Sequence, residues 1–386
     1  MTRTQSTLAA VLALSFLTPP QSSAPRKLAA PTATYDEPFT GIESVRELRD
    51  GRVVVLDARE QTIHVIDLKT RSETKIGRVG DGPGEFRLPL DIFAISGDSA
   101  VIRDMGRFGK VMVLTPQGTL GDFIPTVDSA LNARAFEPIG TDNAGRFYGM
   151  GFTTNGVLDS ARIVRWDRTT HTRDTVALIS RKTVSPLVKG GPPDVIRDKD
   201  GRAIGYRPGP ILPFATNDQW AVSPDGRLAI VQASPYRVTY VNANGVRISG
   251  PIIEFTPVPV TEADKAAWRA EAAQPRATIS RQRDGAMTTS FRKMPIPEPP
   301  EWEPTLPAFP RKAVSFASDG MLWVRRNTRA GAPLPFDVID RGGKVAFQLE
   351  LPAKTKLVGF GAGVVYLARV DDDDLHYLAR YKLPGR

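Results

Sequence analysis

The stretch IGRVGDGPGEFRLP, residues 76–89, decides how the rest of the chain is read. A β-rich run ends at Ile76. Gly80, Gly82, Pro83 and Gly84 then turn the backbone sharply, because glycine supplies angles that side chains exclude and proline holds its own φ. Glu85 and Phe86 follow, and a new strand pattern starts after Pro89. Phe86 is the bulkiest apolar side chain here and is expected to plug the space between two modules. Gly82, Gly84 and Phe86 therefore read as structural, and the stretch reads as a joint between repeated units.

Outward from this joint, a glycine-bearing turn recurs at Asp50-Gly51, Gly97-Asp98, Ala144-Gly145, Asp225-Gly226, Asp319-Gly320 and Ala362-Gly363. An apolar strand precedes each turn. A second follows it, ends in a polar residue, and leads through a loop to a third. The first unit reads IESVREL, RVVVLD, TIHVIDL and ETKIGRV; the fourth reads WAVS, RLAIVQA, RVTYVN and VRISGPIIEF, with Asn244-Gly245 as a hairpin turn. Units of three or four short strands at a spacing of about 45 residues are the pattern of a propeller. The chain is expected to be all-β: a six-bladed β-propeller of four-stranded antiparallel blades. The sixth unit lacks a fourth strand, so residues 33–39 are expected to supply it and close the ring, leaving fewer exposed edges. The segment VIRDKDGRAIGY, residues 195–206, has the form of a hairpin. Two strands are too few for a seventh blade, so it reads as an inserted hairpin.

The joint GDGPGEF followed by proline, a strand ending in aspartate (VVVLD, VIRD) and a strand such as IHVID together resemble NHL-repeat propellers. The whole pattern is similar to the six-bladed, TolB-like β-propeller proteins of bacteria. WAVSPDGRLAIVQASPYRV, DGMLWVRR and LVGFGAGVVYLARVDDDDLHYLARYKLP resemble an exported branch of that group. The resemblance spans about residues 35–386 and implies the propeller fold. Only the first joint keeps the glycine pattern.

Composition suits this reading. Gly and Pro number 33 each in 386 residues, which favours turns over long helices. Residues 1–24 read as a signal peptide: Arg3, then the apolar run LAAVLALSFL, then Pro19-Pro20, then Ser22-Ser23-Ala24. The alternative is a buried helix. Residues 25–386 then form one propeller domain with insertions at 181–213 and 256–311. The chain has no cysteine, so neither a disulfide nor a lipoprotein anchor is expected. The expected location is the periplasm or outside the cell, with no transmembrane segment after cleavage. The formal net charge of +9 is dispersed, which suits a solvated surface, and no nucleic-acid motif is present.

Both insertions are rich in proline. Residues 181–213 carry Pro186, Pro192, Pro193, Pro208, Pro210 and Pro213. In the second, Thr261-Glu262-Ala263-Asp264 resembles a capping box with Asp in place of Glu, and predicts a helix over 262–273 that Trp268 anchors. A basic stretch follows with Arg276, Arg281, Arg283, Arg292 and Lys293. Residues 295–310 hold seven prolines in 16 residues, which favours an extended strap. That strap reads either as a semi-rigid band across the blades or as a lid or partner-binding element.

The chemistry-bearing residues are few. The three histidines, His64, His171 and His376, make no set with a serine elbow or a cysteine, so nucleophilic catalysis has no candidate. The innermost strands offer Glu43, Asp91, Glu137, Asn217 and Asp218 as oxygen ligands, which leaves a calcium ion in the central channel as an open reading; otherwise no cofactor is expected. The run Asp371, Asp372, Asp373 and Asp374 lacks the glycine and terminal glutamate of an EF-hand and reads as a hairpin loop. Asp57 and Asp104 end equivalent strands and are read as turn locks. Arg59, Arg107, Arg237, Arg325, Arg326 and Arg369 fall in or beside the loop after the second strand. They are expected on one face, where they form a tentative anionic-ligand site; the alternative is that they pair with neighbouring aspartates. Three functions follow: an exported, non-catalytic binding or scaffold protein for a protein, peptide or envelope component; a calcium-dependent hydrolase or lactonase; or a sensor or accessory subunit for an anionic ligand.

Overall fold

The computed structural model describes residues 24–106, 109–127, 136–151, 160–180, 195–197, 203–206, 213–281, 287–293, 298–299, 301–330 and 332–385. Segment 1–23, Arg107, Arg283 and most of the first insertion lie outside them.

The chain is a six-bladed propeller of four-stranded antiparallel blades. Blade 1 comprises Ile42–Glu47, Val53–Asp57, Thr62–Asp67 and Ser72–Lys75. Blade 2 comprises Pro89–Ala94, Ala100–Asp104, Lys110–Leu114 and Leu120–Pro125. Blade 3 comprises Pro138–Thr141, Phe147–Gly151, Ser160–Asp167 and Thr172–Ser180. Blade 4 comprises Gln219–Val222, Leu228–Ala233, Tyr236–Val241 and Arg247–Ile252. Blade 5 comprises Val314–Phe316, Leu322–Arg325, Pro335–Ile339 and Val345–Glu350. Blade 6 has Thr355–Gly361, Val364–Val370 and His376–Lys382, and takes its outer strand from Ala33–Thr34. The N-terminal segment also adds Arg26–Lys27 as a parallel fifth strand on blade 5, a two-residue element with no sequence signature of its own.

Each apolar cluster lies between consecutive blades. This is why the strands read as unbroken apolar runs: successive side chains point to opposite faces, and here both faces are covered. In blade 1, Val53 and Val55 pack toward blade 6, whereas Val54 and Leu56 pack toward blade 2. In blade 5, Leu322 and Val324 meet blade 4 while Trp323 meets blade 6.

The turns repeat one device. The carboxylate of Asp50, Asp142, Asp225 or Asp319 accepts the N–H two residues on, at 3.0, 3.0, 3.2 and 2.9 Å. A glycine near it takes the left-handed conformation, as at Gly51, Gly145, Gly226 and Gly320. In blade 2 Asp98 takes that conformation, at φ 66°.

In the first joint Arg78–Val79 pairs in parallel with Glu85–Phe86. The Glu85 carboxylate accepts the Gly82 N–H at 2.6 Å and the Arg78 side chain at 2.6 Å. Gly84 sits at φ +68°. Phe86 is 1% exposed, inside the cluster shared by blades 1 and 2.

Candidate functional site: the insertion-bearing face

In a blade of four antiparallel strands, the turn between strands two and three emerges on one face of the ring. The link from the outer strand to the next inner strand emerges on that same face. Among the described residues the opposite face carries the short turns that join strands one to two and three to four, and at blade 6 the chain entering at Ala33 and leaving after Lys382. Among the described residues, the second insertion, the 371–375 turn and Arg59, Arg237, Arg325, Arg326 and Arg369 therefore share one face.

The second insertion is docked there. Its helix, Glu262–Ala272, has a full capping box between Thr261 and Asp264. The second carboxylate oxygen of Asp264 accepts the Ala330 N–H of blade 5 at 2.9 Å. The basic stretch forms a hairpin, Arg276–Arg281 with Met287–Arg292, which its Thr- and Ser-rich sequence gives no apolar alternation to announce. Val258–Pro259 pairs with Thr305–Leu306, so part of the proline strap is a strand. Asn327 donates to the carbonyls of Ala308 and Pro307, at 3.1 and 2.8 Å, and so holds the strap on blade 5. Trp302 meets Trp268 of the helix at 5.4 Å and Phe214 of the blade 3–4 connection at 5.9 Å between ring centres. Arg269 lies over the Trp302 ring and binds Glu298 at 2.6 Å. Phe214 takes φ 62°, an uncommon conformation for a bulky residue.

Toward the channel, carboxylates meet cations rather than one another. Lys356 donates to Glu43 at 2.8 Å, and Lys312 approaches the other oxygen at 3.7 Å. Burial pushes the Glu43 carboxyl up, but the two lysines outweigh it and hold it below its ordinary value. Arg103 bridges Asp91 and Glu137, the latter at 2.8 Å. Asp218 accepts the N–H groups of Ser180 and Ala233, at 2.8 and 3.0 Å, and thereby ties blade 3 to blade 4. The Asn217 side-chain oxygen is buried without a partner. Calcium takes several converging oxygens; this arrangement does not fit that requirement. Among the described residues no group of three or more His, Cys, Asp or Glu side chains is placed to hold a metal ion. Lys312, Lys356 and Arg103 are the residues the sequence reading missed, since no spacing rule links them to their partners.

The loop arginines occupy different environments. Arg59 binds Asp374 of blade 6 at 2.7 Å. Arg326 binds the fully buried Asp337 at 2.8 Å, and Asp337 also accepts from Tyr236 and Gln348. Arg369 stacks on Tyr377. Arg325 donates to the Arg311 carbonyl at 3.4 Å, and burial lowers its guanidinium pKa. The guanidinium Nε atoms of Arg325 and Arg237 are buried without partners.

Asp57 and Asp104 perform the same task. Asp57 accepts the N–H groups of Thr40, Gly41, Arg59 and Glu60, at 2.6, 3.1, 3.0 and 3.1 Å. Asp104 accepts those of Arg87, Leu88 and Gly106, at 2.7, 2.7 and 3.0 Å. Each carboxylate joins its own turn to the chain arriving from the preceding blade. His376 accepts the Ile42 N–H at Nδ1, and His64 lies between Glu73 and Thr62. His171 sits at a turn with φ 53°.

No protein-family model matches the chain, and no curated protein is significantly similar to it. Solved structures similar to it include the calcium-binding protein regucalcin from Agrobacterium tumefaciens, at 11% identity and TM-score 0.42, covering 94% of this chain and 98% of that one. Virginiamycin B lyase from Staphylococcus aureus matches at 13% identity and TM-score 0.39, covering 91% and 98%. A protein from Bacteroides fragilis matches at 11% identity and TM-score 0.45, covering 93% and 94%. No helix among the described residues is long and apolar enough to cross a membrane. Likeness at this level carries no activity across, so the fold rests on the blade topology itself.

Proposed function

We propose that this chain is an exported binding propeller that holds an extended protein, peptide or envelope polymer on its insertion-bearing face, without catalysis. The observation that carries this reading is the asymmetry of the ring. One face is built from short Asp- and Gly-capped turns. The other carries, among the described residues, the docked second insertion with its proline strap and the half-buried aromatics Phe214, Trp268 and Trp302. Propellers host many functions on one frame, so the site and not the fold must carry the argument. Aromatic side chains give a surface large contact area at small entropic cost. The engagement of His64, His376 and the channel carboxylates in structural contacts supports a binding role over a catalytic one. The apolar run at 8–17 supports export. The test is affinity capture from bacterial envelope extract, with captured components identified by mass spectrometry. The full chain, a variant lacking residues 276–304 and a variant altered only on the turn face are compared, each shown folded by circular dichroism. Capture that depends on 276–304 and survives the turn-face changes is expected. Equal capture by all three removes the reading.

A further inference from the structure

The ring has one seam, and two of the chain's three histidines flank it. Blade 6 is completed by Ala33–Thr34, after which residues 35–41 cross to blade 1. Phe39 and His376 exchange backbone hydrogen bonds, both at 2.8 Å. The Ile42 N–H donates to His376 Nδ1 at 3.0 Å. On the other side the Phe39 ring stands edge-on to His64 at 5.1 Å. His64 Nδ1 meets Glu73 at 2.5 Å, and the Tyr35 hydroxyl donates to the other oxygen of Glu73.

We propose that this seam is an acid-sensitive latch: unprotonated His376 Nδ1 holds Ile42 at neutral pH, and its protonation frees the closing segment, residues 33–42, while the other blade junctions stay shut. A ring nitrogen that accepts a hydrogen bond cannot also carry a proton. Once protonated it sets N–H against N–H, and the amide of Ile42, a residue with no exposed surface, loses its acceptor.

The charges around His376 come from several elements. Lys356 on the inner strand of blade 6 and Arg59 in the blade 1 turn oppose protonation. Asp374 and Asp57 favour it, but Asp374 is bound to Arg59 and Asp57 to four amides. Burial, then Lys356 and Arg59, hold the imidazole below its ordinary value of 6.5. A depressed native value means that the unfolded or opened chain binds the proton more readily. The stabilisation from His376 is therefore complete above about 6.5 and is lost as pH falls through the lower native value. The His64 side behaves differently. Burial raises the Glu73 carboxyl, but the bonds from Tyr35 and His64 hold it below its ordinary 4.5, so Glu73 keeps its charge down to about pH 5.5. Lys75, paired with His64 across the outer strand, and Glu37 near Tyr35 are the remaining charges there.

Hydrogen exchange read by mass spectrometry on the full chain, from about pH 7.5 to about pH 5.5 and corrected for intrinsic rates, tests the latch. Opening of segment 33–42 is expected to rise by up to about tenfold per pH unit below 6.5, with strand Leu228–Ala233 unchanged. His376→Asn keeps an acceptor near the position of Nδ1 but does not titrate, and its profile is expected to be flat. A flat wild-type profile, the same rise in His376→Asn, or a rise shared by every blade overturns the proposal. A ring-nitrogen NMR titration of wild type gives a second reading that needs no variant. A His376 that titrates at or above 6.5 overturns the latch, and one that stays neutral below it supports the latch.

Discussion

Between blades 1 and 2 the chain passes from outer to inner strand through residues 76–88; between blades 4 and 5 it uses residues 253–313 for the same step. The short joint is consumed by packing. Phe86 fills the inter-blade cluster, and Glu85 satisfies the glycine turn. The long connection leaves the ring, builds a helix, a hairpin and a strap, and returns to blade 5 through Asn327 and Asp264. The same topological step thus serves cohesion in one place and surface in the other. An inter-blade link need only deliver the next inner strand in register, so whatever lies between is free to vary.

Substitutions across the two links test this division. Phe86→Ala should have the largest effect, a loss of about 3–5 kcal/mol in urea unfolding, because a buried aromatic leaves a cavity between two blades. Trp302→Ala should cost less than about 2 kcal/mol and raise hydrogen exchange chiefly in helix Glu262–Ala272, since its ring contacts are Trp268 of that helix and Phe214 of the blade 3–4 connection, outside the inter-blade clusters. If Trp302→Ala costs as much as Phe86→Ala, the insertion belongs to the cooperative core and the contrast fails. Arg59→Ala should have the smallest effect, at most about 1 kcal/mol, because Arg59 and Asp374 are 47% and 56% exposed. A loss well above that would mean that blades 6 and 1 depend on this pair to stay closed.

Much of the fold was legible because its determinants are local. An Asp or Gly turn and an apolar strand are each written within a few residues, and their repetition gives the blades. The closing strand was legible by counting, since blade 6 lacked one. The Arg276–Arg281 hairpin was not, because its strands carry polar residues and no apolar face. The face shared by the loop arginines follows from strand ends. Their partners do not: Arg326 meets Asp337 on the next strand, and Arg59 meets Asp374 across the seam between blades 1 and 6, so only the folded chain brings them together. The cations beside Glu43 and Asp91 were hidden for the same reason.

The way the ring closes also determines how it answers to mechanical load. Ala33 lies opposite Arg380, so the two arms of the chain leave the seam at the same end of the closing strand pair. Arg26 donates to the Gly385 carbonyl close to that exit. Force applied between the arms first strips Arg26–Lys27 from blade 5, then peels Ala33–Thr34 from blade 6. Hydrogen bonds in such a pair break one after another instead of sharing the load. Under tension the ring is therefore expected to open along this single line while its inter-blade clusters stay packed.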